Sequence, residues 1–286
     1  MEFEMNRTWS QATALVKANF QILAVIAGIF MLVPTLVFYF AVPDVFAFAG
    51  ADGDPDAAMK RFEAMAPSFF GYGLIALVLQ SVGYIAMIAL MGDGRPTVSE
   101  AIGRGFRLLP TAIGAMILFI FAYFAFFLVF SLVLGLIGAA LTAITGSGEG
   151  GGGVFLFVAL LYVALVVANL YIFSRLSVTL PVIVLEQERN PARALLRSWR
   201  VTKARVWTIA GFFFLLFVVY MVLAMLLTMV FGALGMAAGA VMGTGSLVTA
   251  SLLYGLMGMI AAMLVSAILV SMHGQLAGPR SVETIE

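Results

Sequence analysis

An all-α, polytopic membrane protein is predicted by this sequence, with six transmembrane helices arranged as three pseudo-repeats, each an interfacial amphipathic helix followed by a transmembrane hairpin. Three observations carry the prediction. Six long apolar stretches fall at 20–42, 67–91, 111–144, 154–184, 207–232 and 247–272, and each exceeds the roughly 20 residues a helix needs to cross about 30 Å of hydrocarbon. Thirteen of the fifteen Lys and Arg residues then lie on one side of a six-span threading, leaving only Lys60 and Arg61 on the other. Cations retained on the cytoplasmic side set topology, so both termini are expected there, which an even number of spans satisfies. The third observation is a motif that recurs before the third and fifth stretches.

Composition closes off the soluble classes. The 286 residues are 63% hydrophobic and 10% charged, with a mean hydropathy of +1.13, whereas a soluble domain carries about a quarter charged residues. The net charge of +1 hides an acidic outer loop against basic inner ones, and it implies no nucleic-acid partner. With no cysteine and one histidine, neither a disulfide framework nor a Cys/His zinc site can form. No metal and no cofactor is expected, and the bacterial cytoplasmic (inner) membrane is the expected residence.

Taken in chain order, the first stretch holds Pro34, which should kink it. Ala47-Phe48-Ala49 resembles a signal-peptide cleavage site, but the apolar run before it is too long for a signal core, so this segment is read as a retained anchor. The outer loop carries Asp52, Asp54, Asp56 and, at the twelfth position, Glu63, nearly the oxygen spacing of a calcium loop. Ala57 stands where that loop needs glycine and Lys60 where it bridges water. A solvated acidic turn is the better reading.

The stretch Val98-Ser-Glu-Ala-Ile-Gly-Arg-Gly-Phe-Arg-Leu-Leu109 precedes the third span, and Pro191-Ala-Arg-Ala-Leu-Leu-Arg-Ser-Trp-Arg-Val-Thr202 precedes the fifth. Laying Ala101 on Ala194 also matches Ile102 with Leu195, Arg104 with Arg197, Phe106 with Trp199 and Arg107 with Arg200, an internal repeat of 93 residues. A weaker third copy places Ala14, Leu15 and Lys17 at the same positions, 87 residues upstream. The repeat units are thus 1–91, 92–184 and 185–286 of one membrane domain, with no soluble domain. At 100° per residue, Leu195, Trp199, Thr202 and Val206 share one helix face while Arg193, Arg197 and Arg200 share the opposite one. Asn190 and Pro191 suit the N-cap and first helical positions. Such a helix is expected in the membrane plane, apolar side among acyl chains and cations among headgroups.

Between these motifs, the glycine-rich 146–153 reads as a flexible loop. Asn169 suggests an interhelical hydrogen bond, and Arg175, about 21 residues into its span, suggests either a snorkelling anchor or a headgroup ligand. Gly235, Gly239 and Gly243 have the spacing of close helix contacts but sit at a span boundary, where a loop is expected. His273 closes the sixth span at the interface.

The run Arg175-Leu-Ser-Val-Thr-Leu-Pro-Val-Ile-Val-Leu-Glu186, followed by Ala194-Leu-Leu-Arg-Ser-Trp-Arg-Val-Thr-Lys203, resembles the glycerophosphoryl diester phosphodiesterase membrane domain family and related YciC-like bacterial integral membrane proteins. In some members such a region precedes a soluble phosphodiesterase domain that carries catalysis. No such domain is legible here, so the resemblance implies a membrane module near glycerophospholipid metabolism and transfers no catalytic residue.

No nucleophile with a base, paired carboxylates or phosphate-cradling loop can be read, so no enzyme is expected. The function expected is binding or organisation of anionic phospholipids by Arg104, Arg107, Arg175, Arg193, Arg197, Arg200 and Lys203, with Phe106, Trp199 and Trp207 as interfacial anchors. Membrane phospholipids are the expected partners, with a protein partner or a homo-oligomer besides. Two alternatives stand beside it: an accessory or scaffold subunit of a membrane complex, and a transport subunit for a small amphiphile contacted by Arg175.

Overall fold

The computed structural model describes residues 3–42, 55–92, 94, 96–145, 152–237 and 244–277. Ten α-helices and no strand occur among these residues: α1 (Met5–Ala18), α2 (Phe20–Ala27), α3 (Val33–Ala41), α4 (Pro55–Met91), α5 (Val98–Thr145), α6 (Gly152–Leu176), α7 (Thr179–Leu185), α8 (Pro191–Val201), α9 (Val206–Ala237) and α10 (Thr244–Ala277). Six helical segments are long and apolar enough to cross a membrane: Phe20–Ala41, Asp56–Met91, Val98–Ala140, Val158–Leu185, Lys203–Val230 and Ser251–Ala277. They are the six spans expected.

The kink expected at Pro34 takes the form of a π turn at Gly28–Leu32, joining α2 to α3. Proline has no N–H for the carbonyl four residues back. The chain absorbs the break by widening one turn, so that the Val33 N–H bonds to the Gly28 carbonyl, the five-residue reach of a π-helix.

Two expectations about local structure change. From Pro55 onward the outer acidic segment is helical, so the stretch to Glu63 cannot wrap a cation as a calcium loop does; Asp52 and Asp54 lie outside the described residues. The amphipathic segment 98–109 is not a separate helix in the membrane plane. It is the first quarter of α5, whose 48 residues measure about 72 Å at 1.5 Å per residue, more than twice the hydrocarbon thickness. Nothing between Val98 and the span breaks the helix; Pro110 lies within it. Gly235 falls in the last turns of α9, while Gly239, Gly243 and the loop 146–151 lie outside the described residues.

Helix starts nonetheless keep a spacing. Met5, Val98 and Pro191 open α1, α5 and α8 at 93-residue intervals. The buried positions follow it: Thr8, Ala101 and Ala194 are fully buried, and each is 93 residues after the last. This spacing differs from the 87 residues expected from Ala14. Each of these segments also packs on the end of a long helix: α1 on α10, the start of α5 on α4, and α8 on α6 and α7.

The close approaches need small residues. A Cβ at Gly105 would stand 2.9 Å from the Val82 carbonyl oxygen, and one at Gly83 would stand 2.5 Å from the Phe30 Cβ. The core so formed joins α2, α4 and α10 through Leu23, Ile26, Ile85, Ile88, Ile268 and Met272, with α7 inserted at one end. The other spans are dressed differently. Half of the most apolar window of the second span is buried, against none in the third and fifth. Beyond their shared end, α6 pairs with α9, while α9 has no close packing with α10, its neighbour in sequence, among the described residues.

Candidate functional site

The site is built where α6 ends. Arg175, one residue before the end of α6, is 5% exposed, so it neither snorkels freely nor faces open water. Its Nη1 donates to the Trp199 carbonyl at 2.9 Å and its Nε to the Tyr171 hydroxyl at 3.1 Å. The guanidinium carbon lies 4.5 Å from the Trp199 ring centroid and 5.3 Å from that of Tyr171. Among the described residues no carboxylate comes within ion-pair distance of it. Two aromatic faces and a carbonyl of the C-terminal turns of α8, the negative end of that helix dipole, stand in for one. Such compensation is required, because an unpaired buried charge is costly.

The backbone of Arg175 is used as well. Its carbonyl accepts from Ser198 Oγ at 2.9 Å and Thr202 Oγ1 at 3.1 Å, which the end of α6 leaves without an intrahelical donor. Ala194, Ser198 and Thr202 thus form the buried strip of α8. Of the face expected through Leu195, Trp199, Thr202 and Val206, Thr202 and Val206 are buried, while Ala194 and Ser198 take the places of Leu195 and Trp199 because only small side chains let α8 sit this close. The expected embedding in acyl chains is replaced by packing on α5, α6 and α7. The cap is as expected: Asn190 Oδ1 accepts from the Ala192 and Arg193 amides at 3.0 and 3.2 Å.

The remaining cations divide by partner. Arg193, Arg200 and Lys203 are exposed around α8, and Arg107 on the start of α5; none has an ion pair among the described residues. Arg197 reaches Glu186 Oε2 at 3.2 Å, and the other oxygen of that carboxylate is 3.0 Å from His273 Nε2. Glu186 thereby ties α8 to the end of α10, so Arg197 is partly spoken for. Arg104 is half-buried, one turn after a capping box in which the Thr97 amide donates to Glu100 Oε2 at 2.9 Å. Of the expected anchors, Phe106 and Trp207 are well exposed, and Trp199 is 37% exposed. Thr111 Oγ1 bonds to the Arg189 carbonyl at 3.1 Å, which fixes the α5 cations beside those of α8.

Asn169 makes the expected interhelical bond, accepting from the Tyr123 hydroxyl at 2.8 Å. A second polar group escaped sequence reasoning. Gln80 Nε2 reaches Thr35 Oγ1 at 3.5 Å, and the rings of Tyr39 and Tyr254 lie 6.2 Å apart. The signal available was the i, i+4 spacing of Thr35 with Tyr39 and Gln80 with Tyr84. Among the described residues, no cluster of three or more His, Asp or Glu side chains is placed to hold a metal.

No curated protein and no solved structure matches the chain. A family model does, over a region that takes in the Arg175 cage, Glu186, α8 and both following spans. This is an integral membrane protein that is similar, over residues 155–283, to the membrane domain of glycerophosphoryl diester phosphodiesterase.

Proposed function

We propose that this protein is a non-enzymatic component of the bacterial inner membrane that holds anionic phospholipids at a cationic rim on the cytoplasmic side, both termini lying on that side. One observation carries the reading: Arg107, Arg193, Arg200 and Lys203 are exposed at the same end of the bundle, on helices whose opposite strips are fastened to the spans. Cations next to an anionic leaflet gain about 1 kcal/mol each. Helices held in place present them without further ordering cost. Arg104 and Arg197 flank this set and Arg175 supports it by fixing α8.

The sidedness rests on the cation distribution, and the bond from the Glu4 amide to Gln275 Oε1 at 3.2 Å, which sets the start of α1 beside the end of α10, supports it. The three-unit organisation, with one amphipathic segment per hairpin, fits the 93-residue spacing of helix starts.

The test is extraction into native nanodiscs followed by mass spectrometry of retained lipid. Wild type is expected to enrich anionic phospholipid over the bulk membrane, and the Arg107→Gln, Arg193→Gln, Arg200→Gln, Lys203→Gln variant to lose that enrichment. Bulk-like lipid around the wild type would end the proposal. A stoichiometric protein in its place would favour the accessory-subunit reading, to which the exposed apolar face of α5 at Leu128, Leu132 and Leu136 lends itself.

A further inference from the structure

A single carboxylate joins the cationic rim to the end of the sixth span. Glu186 Oε2 accepts from Arg197 Nε of α8 at 3.2 Å, and Glu186 Oε1 lies 3.0 Å from His273 Nε2 of α10. A bare ring nitrogen would set its lone pair against the carboxylate, so Nε2 carries hydrogen and donates, which leaves Nδ1 to take a second proton. Burial is graded along the three: the side chains of His273, Glu186 and Arg197 are 13%, 24% and 47% exposed. Glu186 thus shares one carboxylate between a mostly buried ring and an outward-facing guanidinium. Its place is fixed by the backbone on both sides. The Glu186 amide closes α7 on the Val182 carbonyl at 3.1 Å, and Gln187 then takes a left-handed turn with φ 56°. That conformation is unfavourable for a residue with a side chain and persists only where its surroundings hold it.

Among the described residues no other charge competes for that ring. α2, α3, the π turn between them, α7 and the rest of α10 carry no Asp, Glu, Lys or Arg, and α4 keeps its charges at the far end, between Asp56 and Glu63. α1 turns Gln11 toward α10, where its Oε1 accepts from Ser271 Oγ at 2.8 Å, and leaves Glu4, Arg7 and Lys17 exposed. Glu188 accepts from the Asn190 amide at 2.9 Å, and Arg193 and Arg200 are exposed on α8. His273 is the one histidine of the chain, and histidine is the side chain that ordinarily gains and loses its proton between about pH 5 and pH 8.

We propose that Glu186 is a built-in competitor for lipid phosphate at Arg197, and that protonation of His273 draws it off. With a neutral ring, the carboxylate neutralises Arg197 and the rim is short of one cation. A second proton on the ring sets two cations on one carboxylate. The junction then gains a positive charge, and the Arg197 guanidinium is left to donate to a phosphate oxygen as it does to the carboxylate. One proton passes from water to Nδ1 and no other covalent bond changes. A glycerophospholipid phosphodiester keeps its charge across this range, so the change lies in the protein. This device rests on the rim-binding reading for its ligand class, an anionic glycerophospholipid, and makes that binding tighten on the acid side of neutrality.

The full-length protein in neutral detergent is titrated with fluorescently tailed phosphatidylglycerol, and with the phosphatidylcholine analogue, at about pH 8 and about pH 5.5. Wild type is expected to bind the phosphatidylglycerol about fivefold more tightly at the lower pH, the worth of one cation beside an anionic headgroup. His273→Gln, which keeps an N–H donor for Glu186 and takes no proton, should bind alike at both pH values, at the weaker level of wild type. A normal elution profile identifies folded variants. Should His273→Gln not fold, Glu186→Gln should bind at the higher pH as tightly as wild type does at the lower. Equal wild-type affinity at the two pH values, a pH dependence that persists in folded His273→Gln, or no gain in Glu186→Gln at the higher pH would each overturn the device. A preference for phosphatidylglycerol over phosphatidylcholine that does not change with pH leaves the rim reading standing; no preference at either pH removes both.

Discussion

Two junctions occupy corresponding places 93 residues apart and are closed by different chemistry. At the first, Gly105 of α5 lies directly on the Val82 carbonyl of α4, leaving no room for a side chain. At the second, Ser198 of α8 donates to the Arg175 carbonyl of α6. Tyr171, Arg175 and Trp199 at the second junction correspond, 93 residues earlier in the sequence, to Val78, Val82 and Phe106. The same backbone approach can thus be sealed by apolar atoms alone. The caged cation is an addition to the junction rather than a condition of its geometry, and its effect is to latch a cation-bearing helix firmly to the end of a span.

The strongest way to break the comparison is to fill the first junction. Gly105→Leu must displace Val82 backbone, and about 3 kcal/mol of stability should be lost, read as a fall in the detergent melting temperature; an unchanged melting temperature would mean that α5 does not rest on α4 as described. The cage comes next. Arg175→Ala removes two hydrogen bonds and both ring contacts, and should cost about 2 kcal/mol. Arg175→Val, which installs the residue found at position 82, should recover about half of that and shift Trp199 fluorescence. If Val proves no better than Ala, the two junctions are not interchangeable.

Smaller effects sharpen the account of α8. Asn190→Ala removes the acceptor for two amides and should cost about 1 kcal/mol. Glu186→Gln weakens a half-exposed pair with Arg197 and should change stability by about 0.5 kcal/mol at most. Its larger readout is lipid retention, because Arg197 is then released to the rim.

The six spans and the cap of α8 were legible because length, hydropathy and the Asn-Pro start are local signals. Between 101 and 194 the recurrence of arginine and aromatic residues is a signal of the sequence itself. The 93-residue spacing of helix starts back to Met5 was not readable, since Thr13 stands where Phe106 and Trp199 do. The fusion of 98–109 with the third span was not readable, since an amphipathic stretch leading into an apolar one has the same sequence whether the helix bends or continues. The cage escaped because it joins residues 171, 175 and 199, and the choice between snorkelling and ligation left out partnership within the protein. The Gln80–Thr35 contact escaped for a similar reason: one amide and one hydroxyl in two spans carry no signal until the helices are assembled.

The central claim is that anionic lipid gathers beside α8, and Trp199 reports on it directly. With Trp9 and Trp207 changed to Phe, Trp199 is the only tryptophan left of the three in the chain. Its fluorescence can then be titrated in nanodiscs with brominated phosphatidylglycerol or brominated phosphatidylcholine at equal mole fraction. The account predicts stronger quenching by the anionic lipid, abolished when Arg193, Arg200 and Lys203 are changed to Gln. Equal quenching by the two lipids in the unaltered rim would contradict it.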